Sequence, residues 1–329
     1  MGRHGGAANH PGRNFMARKP ASKKVAPKKV AAKNSGTKKA KKLNVGFVGL
    51  GEMGGQMARH VVEKSDGRFN VFGFDLSKAA VNAAKKDGIK STRSLNDLAK
   101  KCDVIIVMVG FDHQVKQVVT DVTKVGKKDA VIVITATSHP DMVRECAGIA
   151  KKRSLGVIDA PVCYGLDGAR DGTLMSTVGG AKKDYNKARP VLECYSRAAP
   201  HLGELGAGEI GKTCNNMLHW AHSIANYEVI LLAKVYGIDG QKMRETLLKC
   251  PGNNGTLERW DETKFTWQEK DMDIALDIAQ KRRVMMPLFG QVDQLIKLFH
   301  ADDVAELLYT KKAHYLGKEY VGKPISAKD

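Results

Sequence analysis

The sequence predicts an α/β protein: a doubly wound, Rossmann-type sheet domain followed by an all-α domain. Three observations carry this. A glycine-rich turn, Gly49-Leu-Gly51-Glu-Met-Gly54, joins a short apolar run to a helical pattern. Apolar strand-length runs alternate with helical stretches as far as about residue 178. After about Gly206 the strand pattern stops and helical periodicity takes over.

The chain has 329 residues and a formal charge of +19. That charge is concentrated in the first 44 residues, which hold 13 Lys and Arg and no acid; Glu52 is the first acidic residue. Without the segment, 54 − 13 = 41 basic residues face 35 acidic ones, leaving a body near +6. Residues 16–42 repeat Lys-Lys, Ala and Pro with few large apolar groups, too little to offset the entropy of ordering, so residues 1–44 are expected to be a disordered tail. Three readings of it stand: non-specific polyanion binding, a targeting presequence, and a specific nucleic-acid arm. Lys outnumbers Arg without an apolar face, which weighs against a presequence. The absence of aromatics from Arg18 to Lys42 weighs against a base-stacking arm. The cytoplasm is the expected location, with the mitochondrial matrix as the alternative. Six cysteines without a CxxC pair read as free thiols. No apolar run reaches the roughly 20 residues of a membrane helix, so no membrane partner is expected.

Leu43–Gly49 reads as the first strand. Met53, Met57 and Val61 place a helix after the glycine turn, Phe69–Phe74 is a second strand, and Lys78–Lys86 is helical up to Gly88. Asp103–Val109, Ala130–Thr135 and Leu155–Asp159 read as buried strands, and Leu174–Val178 as another after a glycine-rich turn. The expected later helices are 208–236, 240–249, 258–264, 271–283, 287–300 and 302–313. The resulting division is a tail at 1–44, a dinucleotide-binding domain at 45–204 and a helical substrate and oligomerisation domain at 205–329.

The turn residues have separable tasks. Gly49 permits the tight bend, Gly51 lets the backbone approach a pyrophosphate, and Gly54 lets helix pack on strand. Leu50, Glu52 and Met53 complete the loop at the helix N-terminus, where free N–H groups and the dipole favour phosphate. Asp75 follows the second strand, 21 residues after Gly54. An acid there suits the ribose hydroxyls of NAD and repels the extra phosphate of NADP, making NADP the second choice. Asp75 as a helix N-cap is the competing reading, with Ser77 as an alternative cap.

On a second helical face, Lys212 and Asn216 are four residues apart, with Asn215 adjacent and His219 continuing the stripe. A lysine and two asparagines on an otherwise apolar helix suit polar chemistry better than core packing. His219 and His222 have no third ligand at helical spacing, so no metal is expected. Trp260, Phe265 and Trp267 read as core or subunit-interface aromatics.

Four segments in order resemble the β-hydroxyacid dehydrogenases, a family that includes 3-hydroxyisobutyrate and 6-phosphogluconate dehydrogenases. Gly46 to Ala58 is similar to the family's GLGxMGxxMA. Asp159 to Leu174 resembles DAPVSGGxxGAxxGTL, with Cys163 in place of Ser and Tyr164 in place of Gly. Gly206 to Asn216 and Lys270-Asp271 supply the other two. The resemblance spans about Asn44 to Pro287. It implies that Lys212 is the catalytic acid/base, that Asn216 and the Cys163, Tyr164 and Gly165 stretch hold substrate, and that Lys270 reaches the cofactor. It also implies that Val109 lies on the adenosine side and Thr137 near the nicotinamide ribose.

The expected function is reversible, NAD-dependent oxidation of a 3-hydroxy acid to its aldehyde or keto acid, by a homodimer or homotetramer. Reduction of a small aldehyde acid, such as glyoxylate or a semialdehyde, is one alternative. A non-catalytic polyanion- or chromatin-binding factor is the other.

Overall fold

The computed structural model describes residues 42–324, which belong to one compact unit. The expectations for the tail lie almost wholly outside the described residues. The first elements are β1 (Leu43–Val48), α1 (Glu52–Glu63), β2 (Phe69–Phe74), α2 (Lys78–Lys86), β3 (Lys90–Ser91), α3 (Leu95–Lys101), β4 (Val104–Val107), α4 (Asp112–Val125), β5 (Val131–Ile134), α5 (Pro140–Lys151) and β6 (Gly156–Asp159). Then come β7 (Val162–Cys163), α6 (Gly165–Asp171), β8 (Leu174–Ser176), β9 (Val178–Gly180), α7 (Lys182–Tyr195), β10 (Ser196–Ala198) and β11 (His201–Gly203).

Strands β6-β5-β4-β1-β2-β3 are consecutive and parallel, in the doubly wound order. The order reverses between β1 and β4, where Val48 pairs with Val107; in open α/β sheets ligands bind in the crevice beyond the carboxyl ends at such a point. Antiparallel β9 extends the sheet, and β11 follows it. Strand alternation divides the core in two. Val104, Ile106, Val131 and Val133 pack on one face with Met57 and Val61 of α1; Ile105, Val107, Ile132 and Ile134 pack on the other with Val115 and Val119 of α4. With both faces covered, β4 and β5 read as continuous apolar runs.

The second half holds α8 (Ala207–Val235), α9 (Gly240–Leu247), α10 (Gly255–Glu258), a 3-10 turn (Trp260–Glu262), α11 (Gln268–Lys281), α12 (Pro287–Ile296), α13 (Ala301–Tyr309) and a hairpin of β12 (Lys312–Tyr315) and β13 (Lys318–Val321). Its core gathers Trp220, Tyr227, Trp260 and Phe299 around α8.

Three expectations change. The helix expected over 258–264 breaks at Arg259 into a short helix and a 3-10 turn. The helix expected over 302–313 ends at Tyr309. The hairpin follows, turning at Leu316-Gly317, both with positive φ, so strands do not stop at Gly206. The run Leu174–Val178 is two strands in different sheets: β8 pairs with β7 and β10, and β9 joins the large sheet. A single apolar run carries no mark of which sheet each residue enters.

Candidate active site

The glycine turn is built as its residue types require. Gly49 has φ +92°, and a Cβ there would sit 2.0 Å from the Met108 carbonyl oxygen of the neighbouring strand end. A Cβ on Gly54 would sit 2.1 Å from the Gly49 carbonyl oxygen, so α1 packs against its own turn. At Gly51 a Cβ would meet nothing within 4 Å. Its missing side chain therefore leaves free the space a pyrophosphate would approach, and the cradle fits a dinucleotide. Leu50 is buried and Met53 partly so, both packed on the core. Glu52 is exposed in the first turn of α1.

Asp75 closes β2 and accepts from two backbone N–H groups, Leu50 at 2.6 Å and Ser77 at 2.7 Å. The carboxylate is thus tied to the phosphate turn itself. Ser77 caps α2 by accepting from Ala80 N–H, so Asp75 is not the cap. Val109 follows β4 beside Gly49. Across the crevice, Lys270 Nζ donates to the Thr137 carbonyl oxygen at 2.9 Å, joining two residues expected on the cofactor side. His139 Nε2 and Asp277 lie 2.8 Å apart beside them. Trp267 is half exposed, edge-on to Phe111 and near the Lys270 ammonium, so it stands at the surface rather than in the core.

The start of α8 is held from the sheet. Gly206 N–H and Glu209 N–H both donate to the Asp159 carboxylate at 2.8 Å. Asp159 thereby serves as the cap that Gly206 lacks. Lys212, Asn216 and His219 share one face of this helix, and Asn215 is exposed, donating to Asn216 Oδ1 at 3.1 Å. Helix α8 packs against β7, whose Cys163 is buried. Tyr164 follows with φ +82°, partly exposed, and Gly165 opens α6.

Two acids near Lys212 escaped the sequence reading. Burial lifts the Asp271 carboxyl above its ordinary range, while Lys212, Trp220 and Asn216 pull it down; Trp220 Nε1 donates to it at 3.1 Å. Glu209 is fully buried and held well above its ordinary value by desolvation, accepting only from Ser138 N–H at 3.1 Å. The available signals were the acid three residues before Lys212 and the one following Lys270. His219 bonds Thr256 Oγ1 and packs on Trp220. Burial, with the charges of Lys212 and Arg259, pushes its imidazole down to about 4.

Comparison with known proteins agrees with this geometry. Residues 44–210 match the profile described as the NAD binding domain of 6-phosphogluconate dehydrogenase. Residues 206–310 match that of the NAD-binding region of NADP-dependent 3-hydroxyisobutyrate dehydrogenase. A probable mitochondrial 3-hydroxyisobutyrate dehydrogenase of Dictyostelium discoideum is 36% identical over 84% of this chain and 91% of its own. An NAD-dependent L-serine dehydrogenase of Pseudomonas aeruginosa is 33% identical over 65% of this chain and 72% of its own. The solved structure of the Mycobacterium tuberculosis 3-hydroxyisobutyrate dehydrogenase with L-serine superposes with TM-score 0.72 at 27% identity, covering 82% of this chain and 99% of that one.

Proposed function

The chain belongs to the β-hydroxyacid dehydrogenase family and is an NAD(P)-dependent hydroxyacid dehydrogenase, and from that premise we propose that it reversibly oxidises a 3-hydroxy acid with Lys212 as acid/base and NAD as the preferred cofactor. The observation that carries this reading is the polar face of Lys212 and Asn216 on α8, set against the buried Asp271 of α11.

The nicotinamide, when bound, supplies the hydride acceptor. Lys212 in its amine form takes the hydroxyl proton as the carbonyl forms, and returns it in the reductive direction. Burial holds the Glu209 carboxyl well above its ordinary value, which disfavours a negative charge at that position. Asn216, buried next to Asp271, orients the hydroxyl or carboxylate. Main-chain amides around Cys163, Tyr164 and Gly165 hold the carboxylate, because the first amides of α6 have no carbonyl a turn earlier. Asp75, fixed by Leu50 and Ser77, meets the ribose hydroxyls, which favours NAD over NADP.

Run in reverse, the same groups reduce a small aldehyde acid, with Lys212 as proton donor. A homodimer or homotetramer fits the exposed stripe of Ile210, Leu218, Val229, Leu232 and Tyr236 along α8. Among the described residues no helix is long and apolar enough to cross a membrane.

The test is initial-rate NAD reduction across a panel of 3-hydroxy acids, with NADP in parallel. Lys212→Ala should lower kcat by roughly 10²–10⁴-fold while NADH binding persists. Turnover that survives in this variant removes Lys212 from the proton step.

A further inference from the structure

Tyr164 is an unusual residue for its position. Its φ of +82° lies in the left-handed region. A Cβ on Gly168 would stand 2.7 Å from the Tyr164 Cβ, so α6 forgoes a side chain where the tyrosine sits. Two guanidinium groups approach the ring. Arg197 Cζ, from β10, lies 3.9 Å from its centroid, and Arg259 Cζ, from the end of α10, lies 5.4 Å away. Arg197 forms no salt bridge among the described residues. Arg259 reaches only Asp167, at 3.9 Å, and that exposed carboxylate is already held by Arg170 at 3.1 Å. Two cations therefore converge on one phenol, one of them with a distant counter-charge and the other, among the described residues, with none. The cluster is tied to the reacting face, because Thr256 of α10 bonds His219 on the Lys212 stripe. The Arg259 charge is also felt at His219.

We infer that Arg197, Arg259 and Tyr164 form a second anion subsite beside the substrate loop, so that the substrate is a hydroxy acid carrying a second anionic group, carboxylate or phosphate. The inference rests on the reading of Lys212 and Asn216 as the reacting face. An arginine fork suits either oxyanion, and the ring keeps both forks planar and poised. The tyrosine narrows the loop against branched apolar acids while its cations attract a charged tail.

Titration calorimetry on the full-length protein saturated with NADH tests this without requiring turnover. The probes are 3-hydroxypropionate with one anionic group, malate with a second carboxylate, and 2-phosphoglycerate with a phosphate. The dianions should bind about tenfold more tightly than the monoanion, with the stronger of the two identifying the preferred group. In Arg197→Gln and Arg259→Gln the ratio should fall toward 1, and in wild type it should shrink with added salt. Equal affinity for all three acids in wild type overturns the subsite, as does a preference that survives both substitutions. Arginines that merely latch the tyrosine would lower Tm and leave the ratio intact, which also overturns it. Dianion preference without oxidation of any acid would retain the subsite and defeat the reaction reading; oxidation of the monoanion without dianion preference would do the reverse.

Discussion

Lys270 on α11 and Thr137 after β5 are joined by a 2.9 Å hydrogen bond from Nζ to the main-chain carbonyl oxygen. The bond crosses from the helical half to the sheet half at the crevice beyond β4 and β5. Around it, His139 meets Asp277 and Lys281 reaches Asp141, so one face of α11 grips the segment that leads into the first turn of α5.

Replacing Lys270 by Met keeps the stem and removes the ammonium. The expected result is a KM for NAD raised by roughly tenfold, with a smaller fall in kcat, read by steady-state kinetics. An unchanged KM would make the bond a structural tie alone.

The glycine turn separates folding from binding. Gly49→Ala combines strain at φ +92° with a clash on the Met108 carbonyl and should cost about 2–4 kcal/mol of stability by denaturant melting. Gly51→Ala enters open space and should stay within about 1 kcal/mol of wild type, yet weaken NADH binding about tenfold or more by fluorescence titration. Equal loss of stability in the two variants would contradict this division.

Asp75→Ser removes the carboxylate to which the proposed function gives the task of repelling an added phosphate. The ratio of kcat/KM for NADP to that for NAD should rise by roughly 10–100-fold. Affinity for NAD should fall as well, since Leu50 N–H loses its acceptor. No change in the ratio would free Asp75 from cofactor selection.

Glu209 gives a pH signature whose sign is fixed by its burial. Its folded value is raised well above 4.5, so the folded state retains a proton that the unfolded state releases. Stability from this group is full below 4.5 and declines as pH rises toward the raised folded value. Glu209→Gln removes the dependence, so the variant should gain on wild type in Tm as pH rises from 4 to 8. A Tm difference independent of pH would refute the assignment.

Much of this was readable beforehand because it is written locally. Unbroken runs of Val and Ile mark β4 and β5, and the turn glycines mark backbone that only glycine tolerates. The i, i+4 spacing of Lys212 and Asn216 needs only a helix to put them on one face. The rest depends on partners far along the chain. Glu209 and Asp271 are ordinary helix acids until tertiary packing buries them near Lys212. Arg197 and Arg259 are 62 residues apart and meet only because both approach Tyr164. The terminal hairpin has short, mostly exposed strands, so the alternation that marks a strand is faint there.

Helix α8 has 29 residues, about 43 Å of continuous rod. Asp159 clamps its first turn to the end of β6, and its far end is embedded among Trp260 and Phe299. Lys212 and Asn216 lie within roughly the first three turns. Set so close to that clamp, the two side chains take their reference from the sheet rather than from the distant end of the rod. Helix α11, which brings Lys270, is bound to the same sheet half at Thr137, His139 and Asp141. The polar face of α8 is thus surveyed from two fixed points on one frame, as a bearing is fixed by two landmarks.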